Sequence, residues 1–505
     1  MSIVTKAKTL MVMGTASDVG KSVVVAGLCR LFARSGVRVA PFKSQNMSNN
    51  AAVCRGGGEI GRAQAAQAEA CGLEPALDMN PALLKPDSET GCQVVIRGRA
   101  QFRMTAQHFR NYCEQTWPEI VESYNRLATG FELIIIEGAG GAAEMNLRDR
   151  DVANWRVAEL ADAPVLIVAD IEKGGTIASL VGTVHLLSTA ERSRVKGLIV
   201  NKFRGDPALF ADGVRIIEHE TGVPVIGVLP YMEDFDIPQE DSASLKTGAR
   251  IKGNRSIQIG IVRFPRISNF TDFDALVREP DVDRRYYDKP EEAGNLDLIC
   301  LPGTKNTIAD LNWVREFGWD RYLFAHHRAG GSILGICGGY QMLGRLITDP
   351  DHVESSTSEV SGLGMLGIET VFAADKITSL VSAVDVSSGV EVSGYEIHCG
   401  RLIELDRNAA FRIRERDGRP VDESEGAISE DGLVLGTSIH GLLDGSRFRH
   451  HYLNKLRQRK GLARLEMATG NAKITRLRAY DRVADLLAHS VDPSYLVGLV
   501  GLRIR

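Results

Sequence analysis

The chain has 505 residues, with 60 Lys and Arg against 64 Asp and Glu, a formal net charge of −4. That balance argues against a protein held to nucleic acid mainly by phosphate contacts, and no apolar run reaches the ~18 residues a membrane span needs. A 25% charged fraction beside 44% hydrophobic residues is that of a globular chain, and at roughly 100–200 residues per domain two to four domains are expected. Eight Cys stand at 29, 54, 71, 92, 113, 300, 337 and 399 without a Cys-x-x-Cys pair, so neither a zinc site nor a disulfide framework is expected. With no apolar signal segment at the start, the expected location is cytoplasmic.

In the first half, short apolar runs alternate with helix-like stretches: Thr9–Met13, Val37–Phe42, Leu133–Ile136, Pro164–Ala169, Gly197–Val200 and Pro224–Leu229. Each is apolar without strict alternation, as in strands buried on both faces, and the spacing suits crossover helices. A mostly parallel, doubly wound α/β sheet follows. The first run ends in Gly14-Thr15-Ala16-Ser17-Asp18-Val19-Gly20-Lys21-Ser22, and Val23–Ala33 reads as a helix leading out. Backbone N–H groups of such a loop wrap phosphate oxygens, Lys21 would reach the terminal phosphates, and Ser22 would ligate Mg²⁺. The loop is one residue longer than the usual P-loop, or its first Gly is replaced by Thr15.

Lys43-Ser44-Gln45-Asn46-Met47-Ser48-Asn49-Asn50 follows the second run. So many amides in one loop suit the reading of a polar ligand, with a solvated loop as the alternative. Glu137, at the end of Leu133–Ile136, is placed as a second Mg²⁺ ligand. Asp170 stands at a similar position. Asn201-Lys202 resembles the start of a guanine-reading motif, but Arg204 replaces the Asp such a motif carries; ATP is therefore expected, with Asn201 at the adenine.

Residues 231–256 break the alternation with clustered Asp and Glu, then Gly248 and Gly253. The expected division is a first, P-loop domain over 1–245, a linker over 246–256, a second domain over 257–490 and a tail over 491–505. Strands are expected at Ile257–Val262, Leu298–Leu301, Ser332–Ile336, Val390–Ile397 and Leu433–Thr437, and a helix at Arg482–His489.

Ile336-Cys337-Gly338-Gly339-Tyr340-Gln341 gives Gly-x-Cys-x-Gly between an expected strand and a helix over Tyr340–Leu346. Small flanking residues let the chain turn sharply and present the thiol above the sheet, and a helix N-terminus favours its thiolate. The N–H of Gly338 can serve an oxyanion, and the Gly303 loop, Leu301-Pro302-Gly303-Thr304-Lys305-Asn306, can supply a second donor. His440, at the end of the last strand, is the expected base; His326-His327 and His450-His451 read as surface residues.

Cys337 in this setting resembles the nucleophile of the class I glutamine amidotransferases, and the P-loop half resembles dethiobiotin synthetase. Both on one chain resemble the cobyric acid synthase and cobyrinic acid a,c-diamide synthase group, and three stretches, Ser44–Asn50, Leu301–Thr307 and Gly394-Tyr395-Glu396-Ile397-His398, resemble the cobyric acid synthases in particular. The resemblance, over about residues 9–490, implies two doubly wound α/β domains and an ATP- and Mg²⁺-dependent ligase. Its implied substrates are adenosylcobyrinic acid a,c-diamide and L-glutamine, with amidation at the b, d, e and g carboxylates. It implies that Cys337 attacks glutamine, His440 shuttles the proton, Gly303 and Gly338 hold the oxyanion and Gln341 shapes the glutamine site. Gly14, Thr15, Gly20, Lys21 and Ser22 would hold the nucleotide, with Lys43, Gln45 and Asn46 near the transferred phosphoryl group or substrate. Many class I amidotransferases orient the His with a Glu two residues on; here Leu442 stands there, so the site is either a Cys–His dyad or draws a carboxylate from elsewhere, with Glu396 as a candidate. A closed interface is expected, with Cys337 facing the P-loop side. The competing readings are the sister a,c-diamide synthase, a partitioning-type ATPase switch (whose early P-loop Lys is here Ala16) and a peptidoglycan-precursor amidating enzyme. A homo-oligomer is left open.

Overall fold

All six apolar runs of the first half become strands of one parallel sheet. In the computed structural model, residues 7–87, 91–105, 109–232, 237–238, 255–405, 408–466 and 472–502 are described. The strands are β1 (Lys8–Gly14), β2 (Val39–Phe42), β3 (Leu133–Glu137), β4 (Val165–Asp170), β5 (Val195–Phe203) and β6 (Val225–Pro230). They lie in the order β6-β5-β4-β1-β3-β2 with every pair parallel. Leu10 and Val12 enter one core cluster and Met11 and Met13 another, so both sheet faces are covered, which is why these runs lack a period of two. Helix α1 (Lys21–Arg34) follows the P-loop.

Between β2 and β3 the chain builds a feature that the sequence presents as loops. Strands Gln45–Met47, Ala82–Pro86, Gly91–Ile96 and Arg99–Thr105 form a four-stranded sheet. A two-stranded hairpin, Ala51–Val53 with Glu59–Gly61, leads into helix α2 (Arg62–Ala70). Three-residue strands rich in amides carry no hydrophobic period, so nothing in the pattern announces them.

The second half holds β7 (Ile257–Val262), β8 (Val282–Tyr287), β9 (Leu298–Leu301), β10 (Ser332–Ile336), β11 (Ile368–Asp385), β12 (Glu391–Glu404), β13 (Ala409–Arg416), β14 (Arg419–Ile428) and β15 (Val434–Thr437). β8-β7-β9-β10-β15 is a parallel core, and β14, β13 and β11 continue it antiparallel. The run expected at 390–397 is part of β12, which pairs antiparallel with β11. Helix α3 (Gly338–Leu343) follows Cys337 and ends earlier than expected, because Leu346–Thr348 is a strand.

The C-terminal segment departs from the expected division. Helix α4 (Ala472–Ser490) packs on α1 of the first domain, with Arg30 Nε 2.7 Å from Asp481 Oδ1. A Cβ on Gly27 would stand 2.3 Å from Leu487, so glycine permits this close crossing. Helix α5 (Pro493–Val500) joins the same core through Leu496 and Val500. The expected acidic cluster and most of the expected linker lie outside the described residues.

Candidate active site

Around the P-loop, the expected residues converge on one carboxylate. Ser22 Oγ donates to Glu137 Oε1 at 2.8 Å, and Lys43 Nζ donates to the same oxygen at 2.9 Å. Gln67 of α2, which no sequence signal singles out, donates to Glu137 Oε2 at 2.5 Å. Burial would raise the Glu137 carboxyl, but the Lys43 ammonium and the bonds from Lys43, Gln67 and Ser22 hold it below the ordinary carboxylate range. Lys21 Nζ donates to the carbonyls of Ala16 and Gly140 at 2.8 and 3.0 Å. The carbonyl of Gly14 accepts from Ala142 N at 2.8 Å, and Thr15 N donates to Val168 O at 2.9 Å, fixing the start of the loop on the sheet. Ser22 and Glu137 present paired hard oxygen donors, the chemistry that suits Mg²⁺ beside phosphate.

Three expected residues are placed differently from a direct ligand contact. Asn201 braces the loop: its Nδ2 donates to Val19 O at 2.8 Å, and a Cβ on Gly20, whose φ is 97°, would meet that nitrogen at 2.2 Å. Gln45 accepts from Tyr112 Oη at 2.9 Å, and Asn46 Nδ2 donates to Gln64 Oε1 at 2.8 Å, both inside the domain. Lys202 pairs with Asp170 at 2.8 Å.

In the second half, buried Cys337 stands between β10 and α3 at φ 53° and ψ −109°, a strained conformation for a side-chain-bearing residue and one that a nucleophile elbow adopts. Its Sγ lies 3.6 Å from the carbonyl of Ile397. His440 is buried, and its Nδ1 lies 2.7 Å from Asp272 Oδ2. Burial pulls the imidazole down, but the Asp272 carboxylate and Cys337 outweigh it and raise it to about 10. Asp272 also accepts from Gly441 N at 2.8 Å through its other oxygen. The orienting carboxylate is therefore Asp272, not Glu396, whose side chain is engaged by Arg416 and by Ser379 at 3.3 Å. Asp272 sits in Phe270–Arg278, with no fixed offset from His440, so no spacing rule could find it.

Gly303 lies beside the imidazole, where a Cβ would meet His440 Cε1 at 3.0 Å, and a Cβ on Gly338 would meet Thr304 N at 3.1 Å. The two glycines thus line the space around the sulfur. Gln341 Oε1 accepts from Thr307 Oγ1 at 3.0 Å, leaving its amide nitrogen against Gly400.

The thiol site abuts the first domain. Tyr395 stacks on His440 with ring centroids 5.3 Å apart, and its hydroxyl donates to the carbonyl of Ala51 at 3.2 Å. Tyr395 and Ile397 form one apolar cluster with Ala51, Val53, Leu83 and Val95. Asn269 Oδ1 accepts from Ala51 N at 3.1 Å, and Thr271 Oγ1 donates to Asn50 Oδ1 at 3.2 Å. The amide-rich stretch thus serves partly as the contact surface for the second domain.

Two family models match the chain. Residues 10–245 match the CobQ/CobB/MinD/ParA nucleotide binding domain family, and residues 258–448 match the CobB/CobQ-like glutamine amidotransferase domain family. The chain is 44% identical to the cobyric acid synthase of Syntrophobacter fumaroxidans, with 98% of this chain and 99% of that one covered. It is 46% identical to that of Streptococcus sanguinis over 98% and 99%, and 42% identical to that of Dehalococcoides mccartyi strain CBDB1 over 99% and 100%.

Proposed function

The chain belongs to the cobyric acid synthase family, and from that premise we propose that it is a glutamine-dependent ligase that amidates the b, d, e and g carboxylates of adenosylcobyrinic acid a,c-diamide at the expense of ATP. The Cys337 thiolate attacks the glutamine amide carbon, with the N–H groups of Gly338 and Gly303 receiving the oxyanion. The His440 imidazolium, steadied by Asp272, gives its proton to the amide nitrogen, which leaves as ammonia. Water, deprotonated by His440, then hydrolyses the glutamyl thioester to glutamate and frees Cys337.

In the first domain a corrinoid carboxylate attacks the γ-phosphorus of ATP, ADP leaves, and an acyl phosphate forms. Ammonia attacks its acyl carbon and phosphate departs. Lys21 and Lys43 offset the charge that develops on the transferred group. Ser22 and Glu137 would hold Mg²⁺, which would neutralise phosphate charge there. Asn201 keeps the loop in shape for the nucleotide.

The observation that carries this reading is the contact of the Cys337–His440 site with the P-loop domain through Tyr395 and Ala51. Ammonia in neutral water is mostly ammonium, which is no nucleophile, so passage through a closed seam preserves its reactivity. The test is Cys337→Ala with adenosylcobyrinic acid a,c-diamide and ATP. The variant is expected to lose glutamine-driven amidation and to keep ammonium-driven amidation. Absence of amide from the wild type with either donor would refute the proposal.

A further inference from the structure

A buried cluster of charges lies in the seam, and neither site uses it. Glu59, which opens the strand leading to α2, accepts from Lys85 Nζ at 2.7 Å through Oε2 and from Lys376 Nζ through Oε1. The three side chains are 0%, 4% and 12% exposed. Glu59 and Lys85 belong to the first domain and Lys376 to the second. Lys376 reaches across because β11 bulges: Phe372 pairs with Gly400 and Ile377 with His398, so residues 373–376 stand opposite Cys399 alone. A bulge of this kind re-aims a side chain.

Two lysines share one carboxylate, so the cluster keeps an excess positive charge in a buried place. Burial pushes Lys85 down to about 8, even though Glu59 works against it, and the neighbouring Lys376 and Lys305 add to the push. Burial also opposes charge on Lys376, but Glu59 outweighs it and raises that ammonium; the thiols of Cys399 and Cys337 act on it in the same direction. Burial likewise opposes charge on Glu59, and the two lysines overcome it and hold its carboxyl at about 2. Glu354 and Lys305 complete the charged groups around Cys399. Cys399 lies two residues along β12 from Ile397, whose carbonyl meets Cys337, so the cluster adjoins the thiol site. Beyond it, α2 runs on to Glu137 through Gln67. Gln64 Nε2 and Gln67 Oε1 on that helix are buried and have no hydrogen-bond partner among the described residues.

We propose that Glu59, Lys85 and Lys376 form a charge filter on the path from Cys337 to Glu137, which turns back ammonium and passes neutral ammonia toward the unspent amide groups of α2. The proposal rests on the amidation reading above. A second cation in a low-dielectric seam that already holds excess positive charge is repelled, whereas a neutral molecule is not.

Lys85→Met separates the filter from the adhesion of the domains, because it removes the excess charge and leaves the Glu59–Lys376 bridge across the seam. The readout is amide formed per glutamine hydrolysed, with ammonium-driven amidation as control. The ratio is expected to fall at least about threefold at neutral pH and to recover as pH rises and ammonium deprotonates. Lys85→Arg is expected to keep the wild-type ratio, and Lys85→Gln repeats the test should the Met variant fail to fold. An unchanged ratio at every pH would overturn the filter, as would a parallel loss of all activities with the ratio intact, the mark of structural glue. Failure of the wild type to amidate with either donor would instead overturn the amidation reading on which the filter rests.

Discussion

Replacing Asp272 with Asn tests the catalytic geometry most directly. The His440 imidazole stands at about 10 against an ordinary value near 6.5, a span on the order of 5 kcal/mol shared between Asp272 and Cys337. Asp272 is the larger of the two raising influences, so its loss lets the imidazole fall back toward that ordinary value. The tautomer adds to this. In the Asp272→Asn variant the new amide oxygen can keep the bond from Gly441 N, which leaves the amide nitrogen facing His440 Nδ1. The ring proton then sits on Nε2, toward Cys337, where it cannot accept the thiol proton. Glutaminase kcat is expected to fall ~10²-fold or more, with ammonium-driven amidation unchanged. The pH dependence has a defined sign. A raised imidazole stabilises the fold fully below its unfolded value near 6.5 and loses that contribution as pH rises through about 10. Wild type is therefore expected to lose stability over that alkaline window, and the variant to lose less of it. Glutamate release from the variant within threefold of wild type, with an unshifted pH profile, would refute the reasoning.

Two further outcomes follow from the packing. Lys43→Met leaves Glu137 without its ammonium partner at 2.9 Å; breaking such a buried pair costs ~3–5 kcal/mol of stability, and amidation with both nitrogen donors is expected to fall ~10²-fold while glutamate release persists. Leu487→Ala removes a buried side chain of α4 from its place against Gly27; thermal unfolding is expected to show a loss of ~2–4 kcal/mol, with glutamate release at low temperature unaffected.

The elements legible in the sequence are those whose signal is local. The six parallel strands announce themselves as unbroken apolar runs, and the P-loop and the Cys337 elbow as fixed spacings within a few residues. What escapes depends on contacts between distant parts of the chain. Asp272 meets His440 across 168 positions. Gln67 meets Glu137 across 70, from a helix of Ala and Gln that shows no strong apolar stripe. The amides of Gln45 and Asn46 read as ligand contacts because a polar loop looks alike whether its partners are a substrate or the domain's own interior. The pattern near 482–489 likewise predicts a helix but holds no sign of which domain it covers.

The return of α4 and α5 to the first domain bears on how the seam can work. The chain passes from the first domain to the second after β6 and back again before α4, so the glutaminase is in effect inserted in the synthetase and held by two connections. Tethering at both ends raises the effective concentration of the seam surfaces for one another. A small apolar contact then suffices to keep the domains in register, and among the described residues the seam's shared cluster is small: Ala51, Val53, Leu83, Val95, Tyr395 and Ile397, with Leu380 packed against it. With adhesion secured by connectivity, the remaining seam can hold groups that would weaken an ordinary interface, and the buried Glu59–Lys85–Lys376 cluster is one of these. Strand β12 ties the arrangement to the chemistry. Its Tyr395 touches both His440 and Ala51, and its Ile397 carbonyl touches Cys337. A shift of the first domain at Ala51 would therefore reach the catalytic imidazole through a single side chain.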